Sequence, residues 1–498
     1  MTTRRFSWTL ALLSAWVSGT SCAGSTPSEA TAADSTGDSA AAAASFTGTL
    51  WIPPALSGTT FDLALAKATK SLRPGALTNT YGFNGGDFWG PTLMVQKGDD
   101  VHINVTNNLP EPTTTHWHGF HIPANMDGGP HQIIAPGQTW SPHFQVKNRA
   151  GTFWYHPHLH MKTMEQLAYG AGGLIIVQDA EEAALALPRT YGVDDIPLVL
   201  TSRRFTGTNQ FDLTASFGDY LLANGVIDAT VALPAQVVRL RILNAETERS
   251  YRIGFADGRT FQVIGNDGGL LSAPVPETNV TLSVGERIEI LVDLSKEPVG
   301  RELTLQAFNG GLGASFPGGE SETLGEAGSL LNDRTFDLLQ VHVVAATPGA
   351  LTTVPAALVK NTYWTQADAT HQRKLTIVES ADGMLFTFDG AGYAMDVINQ
   401  TVALNAIEAW TIQAGPTSGH AFHIHDVQFN VVARSSGALF SWEPGWKDTV
   451  FVPASESVTV VAQFADFASP TEAFMYHCHM TNHEDGGLMG QFLVTQAP

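Results

Sequence analysis

The most informative stretch of the chain lies near its C-terminus, where residues 476–483 read YHCHMTNH. In a β-strand successive side chains point to opposite faces, so Cys478 is expected to face one way while His477 and His479 face the other. One thiolate can then hold a metal ion while the two imidazoles hold others behind it. Cys478 together with His483 indicates a copper site, because soft sulfur and imidazole nitrogen are ligands that suit copper.

Three further histidine clusters bear on whether the chain holds one copper or more. They lie at residues 116–119 (HWHG), 156–158 (HPH) and 420–425 (HAFHIH). On a strand, each HxH pair places both imidazoles on one face, with room for one or two metal ions. A single pair is a weak signal, since histidines also fill cores or face solvent. Four pairs, two early and two late, with the cysteine inside the last, predict more than a single copper site.

The segments that must position these histidines have the pattern of β-strands. Residues 237–243 and 287–292 alternate with period two, and turns rich in Gly, Pro, Asn and Asp separate many such short runs. Many short strands with frequent turns predict β-sandwiches. With 498 residues and 43% hydrophobic content, the chain can bury several cores, and we expect three domains.

The clusters resemble those of the multicopper oxidases, specifically the three-domain bacterial group that includes laccases and copper-efflux oxidase. Further motifs that carry the resemblance are YGFNG at 81–85, DGGP at 127–130, WYHPH at 154–158, GNDGG at 265–269, GER at 285–287 and GWKDTV at 445–450. The resemblance implies an all-β chain of three cupredoxin-like Greek-key β-sandwich domains. We expect them at 46–185, 186–350 and 351–498, with the type 1 copper in the last.

The resemblance also implies a role for each ligand and a total of four copper ions. The type 1 copper is expected to take His420, Cys478 and His483, and the type 2 copper His116 and His423. The two type 3 coppers are expected to take the remaining six histidines of the clusters, which are His118, His156, His158, His425, His477 and His479. The middle domain holds none of these ligands, and its expected role is to space the outer two.

The activity that the resemblance implies is that of a laccase. A small-molecule donor such as a phenol gives single electrons to the type 1 copper, and O₂ is reduced to water by four electrons at the other three. One alternative is a periplasmic oxidase of cuprous or other metal ions in copper tolerance. A less favoured one is a copper-free scaffold, since one cell-division protein of this fold has lost its coppers.

Two carboxylates, Asp127 and Glu484, match positions that deliver protons in relatives. For Asp127 the alternative is structural, because Asp-Gly is a common tight-turn pair. For Glu484 the alternative is a carboxylate that orients a histidine ligand. His121 lacks a paired partner in the sequence, and we assign it no role; His160 is expected beside the ligands or facing solvent.

Three positions depart from the family pattern. Leu488 stands where many bacterial relatives have the axial methionine of the type 1 copper, and a leucine there is expected to raise the potential. A one-residue shift that brings in Met489 is the alternative. Only 10 methionines occur, without a cluster, so a dedicated site for cuprous ions is unsupported. Asp426 replaces a common glycine.

The net charge and the N-terminal segment limit the possible partners and the location of the protein. The net charge of −21, from 47 acidic and 26 basic residues, argues against nucleic acid and anionic membrane surfaces as partners. Residues 1–22 are typical of an export signal, by the twin-arginine or the ordinary secretory route. Cys22 and the Ser- and Ala-rich residues 23–45 predict a lipid anchor and a disordered tether. We therefore expect an exported monomer, periplasmic or anchored at the outer membrane or cell surface.

Overall fold

The computed structural model describes residues 46–313, 315–320, 328–381 and 385–496. The signal segment 1–22, the lipid anchor at Cys22 and the tether 23–45 lie outside the described residues, so these three expectations stay predictions. Within those ranges the chain forms thirty-two β-strands and three short α-helices, and the prediction of an all-β chain is confirmed. No helix in this part of the chain is long and apolar enough to cross a membrane.

The first third of the described chain forms a sandwich of two sheets. Its elements are β1 (Gly48–Thr49), β2 (Ala55–Ser57), β3 (Thr60–Lys70), β4 (Thr78–Phe83), β5 (Thr92–Gln96), β6 (Asp100–Asn107), β7 (His116–His118), β8 (Thr139–Trp140), β9 (His143–Gln145), β10 (Gly151–His156), α1 (Thr163–Ala168), β11 (Gly173–Gln178) and α2 (Ala180–Ala183). One sheet has the order β4-β3-β6-β8, with β9 also paired to β6, and the other β2-β5-β11-β10-β7. In β3 every second side chain faces the core, so Phe61, Leu63 and Leu65 pack with Trp117 and Phe153 of the facing sheet.

The middle third forms a second sandwich. Its elements are β12 (Asp195–Arg203), β13 (Tyr220–Ala223), β14 (Ala229–Pro234), β15 (Val237–Asn244), β16 (Tyr251–Phe255), β17 (Phe261–Asn266), β18 (Gly269–Glu277), β19 (Asn279–Leu282), β20 (Arg287–Asp293), β21 (Glu302–Phe308) and β22 (Thr335–Val344). The sheets have the orders β13-β12-β15-β20-β17-β18 and β1-β14-β22-β21-β16-β19. Residues from both sheets, among them Leu240, Ile290 and Leu305, share one core.

The last third forms the third sandwich. Its elements are β23 (His371–Glu379), β24 (Phe386–Phe388), β25 (Gln400–Ala403), β26 (Ile407–Gln413), β27 (His420–Ile424), β28 (Phe429–Arg434), β29 (Thr449–Val452), β30 (Ser457–Gln463), β31 (Phe474–Cys478), α3 (Thr481–Asp485) and β32 (Met489–Thr495). The sheets have the orders β24-β23-β26-β30-β28 and β25-β32-β31-β27-β29. Because β1 pairs with β14 of the second sandwich, the N-terminal strand crosses the predicted boundary, and the exact domain bounds stay predictions.

Two strands of the second sandwich, β12 and β15, are buried along their whole length, including their charged residues. Arg241 donates from Nε and Nη2 to Asp195 at 2.7 and 2.9 Å, and Arg239 donates to Glu289. Thr152 of β10, in the first sandwich, donates to the same Glu289 at 2.6 Å. Since a buried charge is costly unless it is paired and hydrogen-bonded, this cluster joins the first two sandwiches through compensated charges.

Candidate metal centre

The first group of donors contains the cysteine. His420 begins β27 and Cys478 ends β31, which pairs with β27 so that Cys478 lies opposite Phe422. The short helix α3 then brings His483 back towards the thiol. The Nδ1 atoms of His420 and His483 are 3.1 Å apart, and each lies 3.7 Å from Sγ of Cys478. Of the three side chains, only His483 is partly exposed.

The chemistry of this group fits a copper ion. Burial raises the pKa of the Cys478 thiol to about 12 and lowers the pKa of the His483 imidazole to about 4. Without a cation the group would therefore hold a neutral thiol beside neutral imidazoles, and a metal ion is what stabilises the thiolate there. Two nitrogens and one sulfur, converging in a buried place, are the donor set that suits copper.

The position next to this group is occupied by Leu488. Leu488 belongs to the same buried apolar cluster as Cys478 and Met480, and its carbonyl accepts a hydrogen bond from the amide of Cys478 at 3.0 Å. Met489 lies opposite His477 in the β31–β32 pair. Since residues that pair directly in a sheet share one face, Met489 faces with His477, away from the thiol. The geometry favours Leu488 over Met489 as the side chain on the Cys478 face.

The other eight histidines converge from both outer sandwiches. His116 lies opposite His156 in the β7–β10 pair, and His423 lies opposite His477 in the β27–β31 pair. The histidines divide into three mutually close groups, which are His118, His156 and His479; His158, His425 and His477; and His116, His118 and His423. Within the first, Nδ1 of His118 is 3.4 Å from Nε2 of His156 and 3.1 Å from Nε2 of His479.

In the second group the Nε2 atoms of the three histidines also lie close together. Nε2 of His477 lies 3.2 Å from that of His158 and 3.3 Å from that of His425. All eight side chains are at most 1% exposed. For His118, His156, His423, His425 and His479, burial first and neighbouring imidazoles second lower the pKa well below its usual value. Unprotonated imidazoles keep a lone pair on the inward nitrogen, which is the condition for binding a metal.

Unsatisfied nitrogens give the clearest sign that the cluster fits metal ions. Nε2 of His116 and Nε2 of His423 are buried and have no hydrogen-bond partner. Their Nδ1 atoms are held by the carbonyls of Asp127 and Asp448, at 2.9 and 2.8 Å. A buried polar atom without a partner is costly, and copper ligated at these two atoms would satisfy both.

Comparisons with known proteins agree with this geometry. The sequence model of the family described as Multicopper oxidase matches residues 66–182, and a second model with that description matches residues 362–498. The chain is 29% identical to the multicopper oxidase mco of Staphylococcus aureus, over 88% of each chain. It is 31% identical to the cell division protein FtsP of Escherichia coli, over 90% of this chain and 93% of the relative.

The chain belongs to the multicopper oxidase family. Solved structures of other members share its fold. A bacterial laccase-like multicopper oxidase, CueO of Ochrobactrum sp., matches with a TM-score of 0.80 and 30% identity, over 90% of this chain and all of the other. McoA of Aquifex aeolicus matches with a TM-score of 0.81 and 28% identity, over 90% of this chain and 99% of the other. The predicted class of three cupredoxin-like sandwiches is confirmed.

The two predicted proton-carrying carboxylates of this multicopper oxidase both contact its histidine cluster. Oδ2 of Asp127 accepts from Nδ1 of His425 at 2.6 Å. Glu484 lies 3.2 Å from Nδ1 of His158 and 3.3 Å from Nδ1 of His477. Burial alone raises the pKa of Glu484, but the neighbouring His158 and His477 lower it, and the net pKa is well below the usual value. Both carboxylates are thus placed to fix imidazole orientations, and proton delivery stays a prediction.

A set of buried charges behind the cluster was missed in the sequence. Arg287 donates to Oδ1 of Asp448 from Nη1 at 2.8 Å and to Oδ2 from Nη2 at 2.6 Å. Its backbone amide donates to Asp267 at 2.7 Å, and Lys447 donates to the same carboxylate at 2.8 Å. Asp448 in turn accepts from Nε2 of His118 at 3.0 Å. The motifs GNDGG, GER and GWKDTV contain these charges, and charges inside otherwise apolar runs were the available signal.

Two glycines of the family motifs are required by the same contacts. Gly119 has φ of +84°, and a Cβ there would collide with the Asp448 carboxylate and come within 3.0 Å of Arg287. Gly285, in the second sandwich, has φ of +84°, and a Cβ there would lie 2.9 Å from the His479 ring. Only glycine combines this backbone conformation with so close an approach. The second sandwich therefore contacts the predicted metal ligands, in addition to its expected role of spacing the outer two.

His121 has a structural partner that the sequence did not show. Its Nδ1 lies 2.7 Å from the buried carboxylate of Asp426 and its Nε2 lies 3.3 Å from the exposed carboxylate of Asp466. Asp426 has φ of +70°, which explains why glycine is common at this position. His160, by contrast, packs against Tyr393 with ring centroids 5.1 Å apart and joins none of the donor groups found in the described residues.

Replacing Asp448 by Asn should damage the histidine cluster while leaving the Cys478 group intact. The change removes the nearer of the two carboxylates that face the buried Arg287 and leaves Asp267 at 3.8 Å; breaking a buried pair costs up to about 3–5 kcal/mol. It also weakens the hold on His118, where loss of an outer partner typically lowers metal affinity about 10- to 100-fold. We expect fewer coppers per chain and a lower melting temperature, with the visible absorption of the thiolate–copper group retained. The exposed Asp396→Asn is the matched control, and full copper content in Asp448→Asn would contradict the role given to this residue.

His121 should contribute stability that depends on pH. Burial lowers its pKa, but Asp426 and Asp466 outweigh burial and raise the pKa from 6.5 to about 9. Because the folded pKa lies above the unfolded one, the contribution is fully present below pH 6.5 and is lost as the pH rises through 9. We expect wild type to exceed His121→Gln in stability by about 1–3 kcal/mol at pH 6 and the gap in melting temperature to close by pH 10. An equal gap in melting temperature at both pH values would count against the role given to His121. So would the same pH-dependent loss of stability in His143→Gln at the exposed surface.

Proposed function

We propose that this multicopper oxidase is of the laccase type and holds four copper ions per chain. In this proposal a phenolic or similar small donor is oxidised one electron at a time, and O₂ is reduced to water. The observation that carries it is the set of eleven donors, ten of them buried and His483 partly exposed, arranged as one sulfur-containing group and three histidine groups. When bound there, the coppers would supply the one-electron oxidation and the four-electron reduction.

The residues around His483 are those against which the electron donor would bind. His483 is the partly exposed member of its group, and the ring of Phe386 packs on it with centroids 4.3 Å apart. Leu385, beside it, is 53% exposed. Asn482 donates to the carboxylate of Glu248 at 3.0 Å. Apolar side chains beside His483, with the Glu248 carboxylate in contact with the neighbouring Asn482, suit an aromatic ring that carries a hydroxyl group, which supports phenolic donors.

The chain itself provides the link between the two parts of the site. Cys478 belongs to the group assigned to the type 1 copper, and its sequence neighbours His477 and His479 belong to the two type 3 groups. Their separation is a single peptide unit on either side of the thiol. Asp127 and Glu484 hold the imidazoles from outside, and we assign to them the protons that O₂ reduction consumes.

Oxidation of cuprous ions is the second candidate, and one observation favours it. Met161 and Met395 are exposed by 69% and 37%, and thioethers are ligands for Cu(I). The hydroxyl of Tyr393 contacts Sδ of Met395 at 3.1 Å, and its ring packs on His160, the residue before Met161. The relatives named cell division protein FtsP suggest a third hypothesis, a scaffold without copper. The retained donor set disfavours it.

Export supports either enzymatic candidate. We propose that residues 1–22 direct the protein out of the cytoplasm, with Cys22 and residues 23–45 as anchor and tether. The Ochrobactrum enzyme is described with oxidase activity towards lignin model compounds and lignosulfonate. A location outside the cytoplasm would bring this chain into contact with donors of that kind.

The proposal is tested by loading the protein with copper and measuring content, spectra and O₂ uptake. We expect four coppers per chain, an intense blue band and faster O₂ uptake with a phenol than with Cu(I). In Cys478→Ser the blue band and the uptake should disappear while about three coppers remain. Faster uptake with Cu(I) than with the phenol would shift the function to metal-ion oxidation. Less than one copper per chain without a blue band would overturn the oxidase proposal and favour the scaffold.

Replacing Leu488 by Met should lower the reduction potential of the blue copper. The side chain at this position shares the face of Cys478, and a thioether there can act as the weak axial ligand that tunes such sites. We expect a lower potential in redox titration, a shifted visible band and slower oxidation of donors that are hard to oxidise. Met489→Leu, on the opposite face, is the control and should leave the potential unchanged. A change only in Met489→Leu would mean that the axial position belongs to residue 489.

A further inference from the structure

A cleft between the first and third sandwiches has a basic lining that the oxidase reaction does not use. The cleft has a volume of about 340 Å³, and its lining includes Lys97, His121, Lys147, Arg149, Trp364 and Trp446. We call it the basic cleft. Its size lies at the lower end of the range for small-molecule sites, about 300–1,000 Å³. Four basic side chains in one cleft stand out in a chain with 47 acidic and 26 basic residues.

Two of these cations have no ion-pair partner among the described residues. Lys147 shares Asp466 with His121. Neither Lys97 nor Arg149 forms an ion pair with any residue in the part of the chain that the structure describes. Glu181 and Asp179 are near enough to Arg149 to act on its charge without forming an ion pair with it, and the oxygens of Asp179 accept the backbone amides of Ala150 and Glu182. The lining therefore carries an excess of positive charge.

The guanidinium of Arg149 is held in place. It lies over the ring of Trp446 at 4.4 Å and is 3.5 Å from the side-chain oxygen of Gln428. The indole nitrogen of Trp446 donates to Asn361 at 3.2 Å. Burial lowers the pKa of Arg149, and the carboxylates of Glu181 and Asp179, neither of which forms an ion pair with it, offset burial only in part. A planar guanidinium in fixed orientation is the group that binds carboxylate or phosphate through two parallel hydrogen bonds.

We infer that the basic cleft binds a small oxyanion with two negative charges, a dicarboxylate or a phosphate, between Lys97 and Arg149. The two unpaired cations neutralise one such ligand, and Lys147 adds a third donor at the edge. The volume accommodates a chain of a few carbon atoms between two carboxylates. None of the metal donors lines the cleft, so the site is separate from the copper chemistry and does not depend on the proposed function.

The experiment is calorimetric titration of the copper-loaded full chain with succinate, inorganic phosphate and acetate at low ionic strength. We expect one site per chain that binds a dianion at least tenfold more tightly than acetate. Tighter binding of succinate identifies a dicarboxylate site and tighter binding of phosphate identifies a phosphate site. No saturable heat with either dianion at millimolar concentration would overturn the inference.

Charge-removal variants locate the site. Lys97→Gln and Arg149→Gln should each weaken the dianion about tenfold, and Arg149→Lys should recover part of the loss. Lys296→Gln, at an exposed position of the second sandwich, removes the same charge elsewhere and should leave the affinity unchanged. Because Arg149 also packs on Trp446, Lys97→Gln, at an exposed side chain, provides the test that does not disturb packing. Equal weakening by Lys296→Gln, or unchanged binding in both cleft variants, would show that the cleft is not the site.

Discussion

The ion pair between Arg287 and Asp448 is the contact at which the three sandwiches meet. Arg287 comes from the second sandwich and Asp448 from the third, and Nε of Arg287 also donates to the carbonyl of Thr152 in the first at 3.1 Å. Both side chains are fully buried, so removing either charge would be costly to the other. Asp448 then holds His118 through its side chain and His423 through its carbonyl. The arrangement of the predicted metal ligands thus depends on the packing of the sandwich that supplies none of them.

Electrostatics explains why so many imidazoles can share one buried place. Protonated histidines at these distances would repel one another, and burial already favours the neutral form. A neutral imidazole has one donor and one acceptor nitrogen, and acceptors on the outside decide which nitrogen faces inward. The carbonyl of Asp127 and the carboxylates of Asp127, Glu484 and Asp448 fill that outer role. The inward nitrogens are thereby left with free lone pairs before any metal binds.

The sequence predicted the local part of this site and not the part that depends on packing. Alternation along a strand correctly separated the face of Cys478 from that of His477, since it needs only backbone geometry. Which histidines from the two outer sandwiches would meet came from the family resemblance, because no local pattern encodes a contact between residues 118 and 479. The pair of Arg287 and Asp448 was missed for the same reason, because the two residues are 161 positions apart in the chain. The signal segment and anchor concern residues that the structure does not describe.

Asp426 shows how one residue connects the local and the distant parts. Its left-handed backbone conformation costs a non-glycine residue about 1–2 kcal/mol, and glycine would avoid that cost. The aspartate is nevertheless accommodated, because its buried carboxylate pairs with His121. His121 in turn pairs with Asp466, which also pairs with Lys147 near the surface. His425, the preceding residue, is a predicted copper ligand held by Asp127. A chain of charged contacts therefore runs from the edge of the basic cleft to the residue beside a metal ligand, and glycine at position 426 would interrupt it.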